Sequence, residues 1–352
     1  MPSLLSLPRE IRDRILEYAL YLPVQEPPES NDLKDIFASR KEIRREQSPL
    51  IPLKSWTVGR DVLYPKSSAS PIHPVFLVNT QIHSEAKDAL SRLPANYILD
   101  VVLYREVYLI PTWLVMPHPR GSVPSCIDSV TCRFRTAFAF DKPPSSYSGF
   151  QGGDGGGPAM SWVLYSLLER FFYFGPHWHG SKTQTIAHFV IEVLHIEIQT
   201  PLGNTSQQFI REPCSVSRLR SVSLNNGPSA PILHPEFLFY FAKRYIFGLL
   251  SMGYHTAGYG DMLFTHLGSI IFTLYGKRES EADVADILKR LNNQYDEATT
   301  SRKQRRKALL NWKPRAMAAR KRRGLRWLEF PDWDGSDLEY LSYDACHREA
   351  IE

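Results

Sequence analysis

The first side chains that could do chemistry are two histidines on either side of a tryptophan. His177-Trp178-His179 follows Gly175-Pro176, and two histidines one residue apart can bind a metal ion from a turn or a strand. A third ligand would have to be His188 or Cys214. Because no acidic side chain or second ligand pair stands nearby in sequence, the segment is interpreted as a surface loop anchored by its tryptophan. We expect no metal and no cofactor.

A glycine-rich loop is the second candidate. It has six glycines between Gly149 and Gly157, and their N–H groups could cradle a phosphate ahead of a helix near Ser161. The loop has no Gly-Lys-Ser/Thr and contains Asp154, so a flexible connection is favoured.

Residues suited to acid–base or nucleophilic catalysis do not form a recognisable motif. Glu192 and Glu197 lie five positions apart on a strand, hence on opposite faces, and His195 is expected at the sheet surface. The chain has no Gly-x-Ser-x-Gly elbow, although triads assembled from distant residues leave no local motif. We expect no catalytic residue and a protein that is not an enzyme.

A run of basic residues is the strongest chemical signal. Residues 302–326 hold twelve Lys or Arg and no acid; the formal net charge is +5, so removing them leaves −7 for the rest. Two clusters separated by a twelve-residue spacer fit a bipartite nuclear-import signal for an importin-type receptor: Arg306, Lys307, Arg320, Lys321, Arg322 and Arg323.

Two other interpretations of the basic run stay open. It could contact nucleic acid, with cations on phosphates and with Trp312 and Trp327 stacked on bases. It could also be a solvated helix held by the acidic tail that follows Glu329. For the import signal we expect Pro314 to interrupt any continuous helix between the two clusters and the segment to lie exposed.

Hydrophobic periodicity predicts the elements that position these residues. Helices are predicted at 8–21, 74–93, 161–174, 235–253, 261–274 and from 283 onward, and strands at 97–104, 107–110, 129–135, 185–199 and 219–224. The alternation in 129–135 is typical of a half-buried antiparallel strand. We therefore predict an α+β fold with N-terminal helices, a central mixed or antiparallel sheet and a helical C-terminal third.

The first helix has an apolar stripe at four-residue spacing. It comprises Leu7, Ile11, Ile15 and Ala19, and Leu16 and Leu20 widen it. We expect the first three to face inward, against Ile82 and Ala86 of the second helix. An adaptor-binding helix would instead leave apolar residues uncovered.

Composition sets the remaining bounds. Of 352 residues, 43% are hydrophobic, which excludes wholesale disorder. Four cysteines without a Cys-x-x-Cys pair suit a reducing compartment. No signal peptide is expected, and the apolar stretch 237–252 is shorter than the roughly 20 residues of a membrane span. We expect no membrane contact, and a nuclear or cytoplasmic location.

Three regions follow from these patterns. A helical region at 1–93 contains a proline-rich insertion at 23–74, an α+β core spans 94–300, and a basic arm with an acidic tail spans 301–352.

Two segments carry a family resemblance. Leu4 to Leu16, with Leu7-Pro8 before Glu10-Ile11-Arg12 and a spaced Ile15, resembles the opening helix of an F-box. Phe76 to Ala86 resembles the second helix of a large group of uncharacterised fungal F-box-like proteins, which have a Glu-x-Arg motif in each helix. In this chain the second motif is Glu85-Ala86-Lys87.

The resemblance implies a function in protein interaction. F-box proteins usually dock a Skp1-like adaptor and present a substrate to a ubiquitin ligase, so the chain would be a divergent substrate adaptor. The implied partner-binding residues are Leu7, Pro8, Glu10, Ile11 and Ile15. The alternative is a nuclear protein that contacts nucleic acid through its basic segment.

Overall fold

The computed structural model describes residues 4–25, 27–29, 32–42, 62–65, 74–104, 108–119, 121–137, 150, 158–177, 188–202, 235–252, 257–291 and 300–328. Along these ranges the helices are α1 (Arg9–Leu20), α2 (Leu33–Ser39), α3 (Thr80–Leu90), α4 (Ala159–Phe174), α5 (Pro235–Leu250), α6 (Asp261–His266), α7 (Val284–Arg290) and α8 (Thr300–Arg322). The strands are β1 (Arg40–Glu42), β2 (Leu63–Pro65), β3 (Asn96–Tyr104), β4 (Tyr108–Val115), β5 (Cys126–Ala137), β6 (Val190–Ile198), β7 (Leu267–Leu274) and β8 (Lys277–Asp283). Single 3-10 turns at Leu4–Ser6 and Pro74–Leu77 precede α1 and α3.

A six-stranded mixed sheet lies at the centre of the fold. Its order is β4-β3-β5-β6-β7-β8; the four inner strands run parallel and the two edge strands are antiparallel to their neighbours. Helices combined with this mixed sheet confirm the predicted α+β class. The predicted strands at 97–104, 107–110 and 185–199 correspond to β3, β4 and β6, whereas 219–224 lies outside the described ranges.

The orientation predicted for residues 129–135 is wrong. They belong to β5, which pairs in parallel with both β3 and β6. The alternation itself is present, because Val130, Cys132 and Phe134 are buried in the main core while the residues between them are half-buried. Alternation shows that one face of a strand is more exposed than the other; it does not show the direction of its neighbours.

The helix predicted at 261–274 is also wrong beyond His266. The chain leaves α6 there and continues as β7, between β6 and β8. Leu267, Ile270 and Leu274 have helical spacing, but the pairing available on both sides of β7 outweighs it. Gly276, with φ +77°, forms a tight β-hairpin turn to β8 instead of ending a helix.

Three hydrophobic clusters form among the described residues and stabilise the fold. The largest joins the sheet to α4, α5, α6 and the inner side of α8, while α1 and α3 share a separate cluster that contains Leu16, Leu20, Phe76 and Ile82. The third lies around Leu33 and the ends of β3, β4 and β5. Nowhere in the described part of the chain is a helix long and apolar enough to cross a membrane.

Candidate functional site

A buried ion pair joins the first two long helices. Arg12 of α1 and Glu85 of α3 are only 8% and 7% exposed. The guanidinium donates from Nε to Glu85 Oε2 at 2.9 Å and from Nη2 to Oε1 at 2.6 Å. Gln81 donates to the same Oε1 at 3.0 Å. The bond from Arg12, and then that from Gln81, lower the pKa of Glu85 to about 2.

Two exposed ion pairs show how α1 and α3 lie against each other. Arg9 contacts Asp88 at 3.0 Å and Arg92 contacts Asp13 at 3.1 Å. The Tyr21 hydroxyl at the end of α1 donates to the carbonyl of Pro94, just beyond the C-terminal end of α3. The C-terminal ends of the two helices therefore lie close together.

The outer side of α1 carries exposed apolar side chains. Ile11, Ile15 and Tyr18 are 49%, 39% and 79% exposed. The prediction that Ile11 and Ile15 face inward is therefore wrong: Leu16 and Leu20 occupy the interface with α3. The helix has an outer apolar stripe and an inner one. The inner side also includes Arg12, which a hydrophobicity pattern does not mark as buried because it is charged. Pairing with Glu85 is what allows Arg12 to be buried.

Other exposed apolar residues lie outside this stripe. Leu22 is 59% exposed, and Leu77 and Val78, in and just after the 3-10 turn before α3, are 70% and 59% exposed. Ile11, Ile15 and Tyr18 are named here the α1 outer surface. Tyr18 was not predicted to belong to this stripe, although it lies three and seven positions after Ile15 and Ile11, as a helical stripe requires.

The other residues predicted to bind a partner lie at the start of α1. Pro8 is the N-cap and is exposed, as is Glu10. Leu7 is half-buried and is not part of the interface cluster with α3, and its carbonyl accepts a 2.5 Å hydrogen bond from Arg12 Nη1. The expectation that Leu7 faces inward against Ile82 and Ala86 is therefore wrong. Of the five residues, Ile11 and Ile15 present the apolar surface.

The basic segment forms one continuous helix, contrary to the prediction for Pro314. This residue lies inside α8. On its inner side Leu309, Trp312 and Ala316 belong to the main core, so packing before and after the proline holds the helix together. Trp312 is 2% exposed and stacks on Phe264 at 4.9 Å. Its predicted stacking on nucleic-acid bases is therefore wrong.

The six predicted import residues divide by exposure. Lys307, Lys321 and Arg322 are exposed, whereas Arg306 and Arg323 are half-buried. Arg320 is 0% exposed, so the expectation that the whole segment lies open is wrong. The Arg320 Nη1 donates to the backbone carbonyls of Phe264 and Leu267 at 2.8 and 2.7 Å. Its Nε donates to the backbone carbonyl of Arg326 at 2.8 Å.

The candidate metal segment is described only in part. Trp178, His179 and Cys214 lie outside the described ranges. His177 is buried, and its Nε2 donates to the backbone carbonyl of His118 at 2.9 Å, so that nitrogen carries a proton. Among the residues described, no group of three His, Cys, Asp or Glu side chains could hold a metal ion.

A histidine pair lies between α4, α6 and β6. His188, with φ +54°, and His266 have ring nitrogens 3.4 Å apart and stacked rings. His266 Nδ1 donates to the carbonyl of Met262, so its Nε2 accepts from His188. Burial lowers the pKa of His266 to about 3, which keeps it neutral. The pair thus acts as a packing contact under the edge of Tyr173.

The remaining catalytic candidates are also separate from each other. Glu192 lies near the start of β6, where Cys126 Sγ is 3.8 Å from its Oε1, whereas Glu197 pairs with Arg133 at 3.3 Å near the other end. His195 is half-buried and bonds to the Thr273 hydroxyl on the adjacent strand. Most of the glycine-rich loop, including Asp154, lies outside the described ranges.

Comparison of the chain with models of protein families, with curated proteins and with solved structures finds no match.

Proposed function

We propose that the chain is a non-enzymatic protein-interaction module whose α1 outer surface docks on a Skp1-like adaptor, so that the protein can present a substrate to a ubiquitin ligase. The observation that carries the proposal is the position of Ile11, Ile15 and Tyr18. They lie on the side of α1 that faces away from Leu16, Leu20 and α3. An adaptor-binding helix requires apolar side chains that its own core leaves uncovered.

The surroundings of this surface suit the docking of a helix. Ile11, Ile15 and Tyr18 have the spacing of anchor residues that meet an apolar groove or a partner helix. Burying an Ile or Leu side chain contributes roughly 1.5 to 3 kcal/mol. Two or three such residues can therefore carry a specific interaction. The resemblance of residues 4–16 to an F-box helix supports a Skp1-like adaptor as the partner.

The first prediction tests this docking directly. A purified Skp1-like adaptor should capture the wild-type chain, and Ile11→Asp/Ile15→Asp should reduce capture at least tenfold, because two charges would enter an apolar contact. Tyr240→Asp is the matched control, since Tyr240 is an exposed aromatic residue on α5 (56% exposed) and its replacement should leave capture unchanged. Melting curves check that each variant is folded.

Two outcomes would contradict the proposal. A folded wild type that the adaptor does not capture removes the partner. Self-association measured by light scattering and lost with Ile11→Asp would instead assign the α1 outer surface to a second copy of the chain.

The alternative function is a nuclear protein whose basic helix contacts nucleic acid, and one observation favours it. Lys307, Arg315 and Arg322 are exposed and recur at spacings of eight and seven, which places them along one side of α8. Arg315 also lies 3.7 Å from Asp261, which partly neutralises it. Nucleic-acid binding through this side should weaken steeply with salt. Import by an importin-type receptor stays a prediction.

A further inference from the structure

Helix α1 could face α3 in two ways. One stripe comprises Ile11, Ile15 and Tyr18, and the other comprises Leu16 and Leu20. At about 100° per residue the two stripes lie roughly 150° apart around the helix. Both consist of large apolar side chains at helical spacing. Hydrophobic burial alone therefore gives little reason for the observed rotation of α1.

The Arg12–Glu85 pair distinguishes the two rotations. Arg12 lies on the side of Leu16, and its fork-like contact with both carboxylate oxygens of Glu85 has fixed directions, unlike an apolar contact. Turning α1 to bury Ile11 and Ile15 would carry Arg12 away from Glu85. A carboxylate that is 7% exposed would then lack its guanidinium partner, which is strongly unfavourable.

We propose that the Arg12–Glu85 ion pair sets the rotation of α1, so that Leu16 and Leu20 face α3 and the α1 outer surface stays open to a partner. Both are positioning residues: they need not contact the partner themselves. The inference deepens the proposed function, but the rotation can be measured without any adaptor. Buried ion pairs can act in this way because they exclude alternatives that apolar contacts tolerate.

The experiment measures the rotation by thiol labelling. Ile11→Cys and Leu16→Cys are made in the wild type and in Arg12→Met/Glu85→Met, which removes both charges and keeps similar side-chain lengths. Labelled peptides are identified by mass spectrometry, so that Cys126 and the other native cysteines are counted separately. In the wild type position 11 should react at least tenfold faster than position 16. In Arg12→Met/Glu85→Met the labelling rates at positions 11 and 16 should differ by no more than about threefold.

The matched control removes an exposed ion pair from the same two helices. Arg9→Met/Asp88→Met breaks the 3.0 Å contact in which both side chains are 55% exposed, and it should keep the tenfold difference. If the apolar variant of the buried pair also keeps that difference, the proposal is overturned. If the apolar variant does not fold, Glu85→Gln takes its place and must reduce the ratio of the labelling rates at positions 11 and 16 at least threefold. An unchanged ratio would also overturn the proposal.

Adaptor capture by the same variants separates this inference from the proposed function. A wild type that captures no adaptor contradicts docking, whereas the rotation mechanism is still decided by the difference in labelling between the wild type and the apolar variant. An apolar variant that loses the labelling difference should also lose capture at least fivefold. If it captures as well as wild type, the pair does not position the docking surface.

Discussion

Arg320 lies where the end of α6, the start of β7 and the last turn of α8 meet, and three backbone carbonyls accept its hydrogen bonds. Burial lowers its pKa to about 10, so the guanidinium is still charged near neutral pH. A cation among carbonyls at the C-terminal end of α6 also complements the helix dipole. In sequence Arg320 is one of four consecutive basic residues, and only the fold distinguishes it from its neighbours.

The second prediction compares Arg320 with Arg322. Arg320→Ala leaves three carbonyls without their charged donor and should lower the free energy of unfolding by about 3 kcal/mol or more. Arg322→Ala removes an exposed side chain from the same helix turn and should change it by less than about 0.5 kcal/mol. Urea unfolding curves measure both. Equal effects from the two substitutions would show that Arg320 is not part of the core.

The third prediction concerns the pH dependence of the Arg12–Glu85 pair. The pKa of Glu85 is about 2 in the folded chain, against an ordinary value of 4.5. Between these values the unfolded chain binds more protons, so the stabilisation by Glu85 is complete above about pH 5 and is lost as the pH falls toward 2. Glu85→Gln lacks this dependence. The difference in unfolding free energy between wild type and Glu85→Gln should therefore shrink steadily from pH 6 to pH 3; a constant difference would contradict the assignment.

The elements α1 and β7 show what local patterns can and cannot predict. Periodicity predicted α1 within one residue at each end, but its orientation depended on Glu85, which is 73 residues away from Arg12. For β7 the pattern of Leu and Ile suited both helix and strand. The neighbours β6 and β8 decided between them. In both cases the missing information is the identity of a partner distant in sequence, which a local window does not contain.

The basic helix α8 illustrates the same limit. Its charge predicted a solvated segment, yet one side packs into the main core through Leu309, Trp312 and Ala316. These apolar residues recur every three or four positions, so a search for helical periodicity within the basic run could have found the buried side. The buried cation could not have been found this way, because its acceptors are backbone carbonyls.

At the scale of the whole molecule, the fold class could be predicted and the topology could not. Apolar runs separated by turn signals were enough for a mixture of helices and strands. The order and direction of the strands depend on connections through α4 and through α5 with α6. The same is true of the two candidate binding surfaces, the α1 outer surface and the exposed side of α8. The residues of α1 and α8 were identified from sequence, but the face each helix presents to solvent is set by the rest of the fold.

The last prediction concerns nuclear import through the basic residues of α8. Because Arg320 is buried, an import receptor can reach only the exposed part of the second cluster, Lys321 and Arg322. Lys321 also lies 5.0 Å from the ring of Trp327, a contact that orients it without covering it. If the segment is an import signal, Lys321→Ala/Arg322→Ala should move a fluorescently tagged chain from nucleus to cytoplasm without changing its stability.

A matched control uses a basic pair on a different element. Lys289 and Arg290 are exposed in the last turn of α7, so Lys289→Ala/Arg290→Ala removes the same charge. The control should stay nuclear, because import receptors depend on the position of the cluster as well as on net charge. If wild type and both variants are distributed alike, the basic helix has no import function. Its charged side chains would then serve only the packing of Arg320 and the solvation of the outer side of α8.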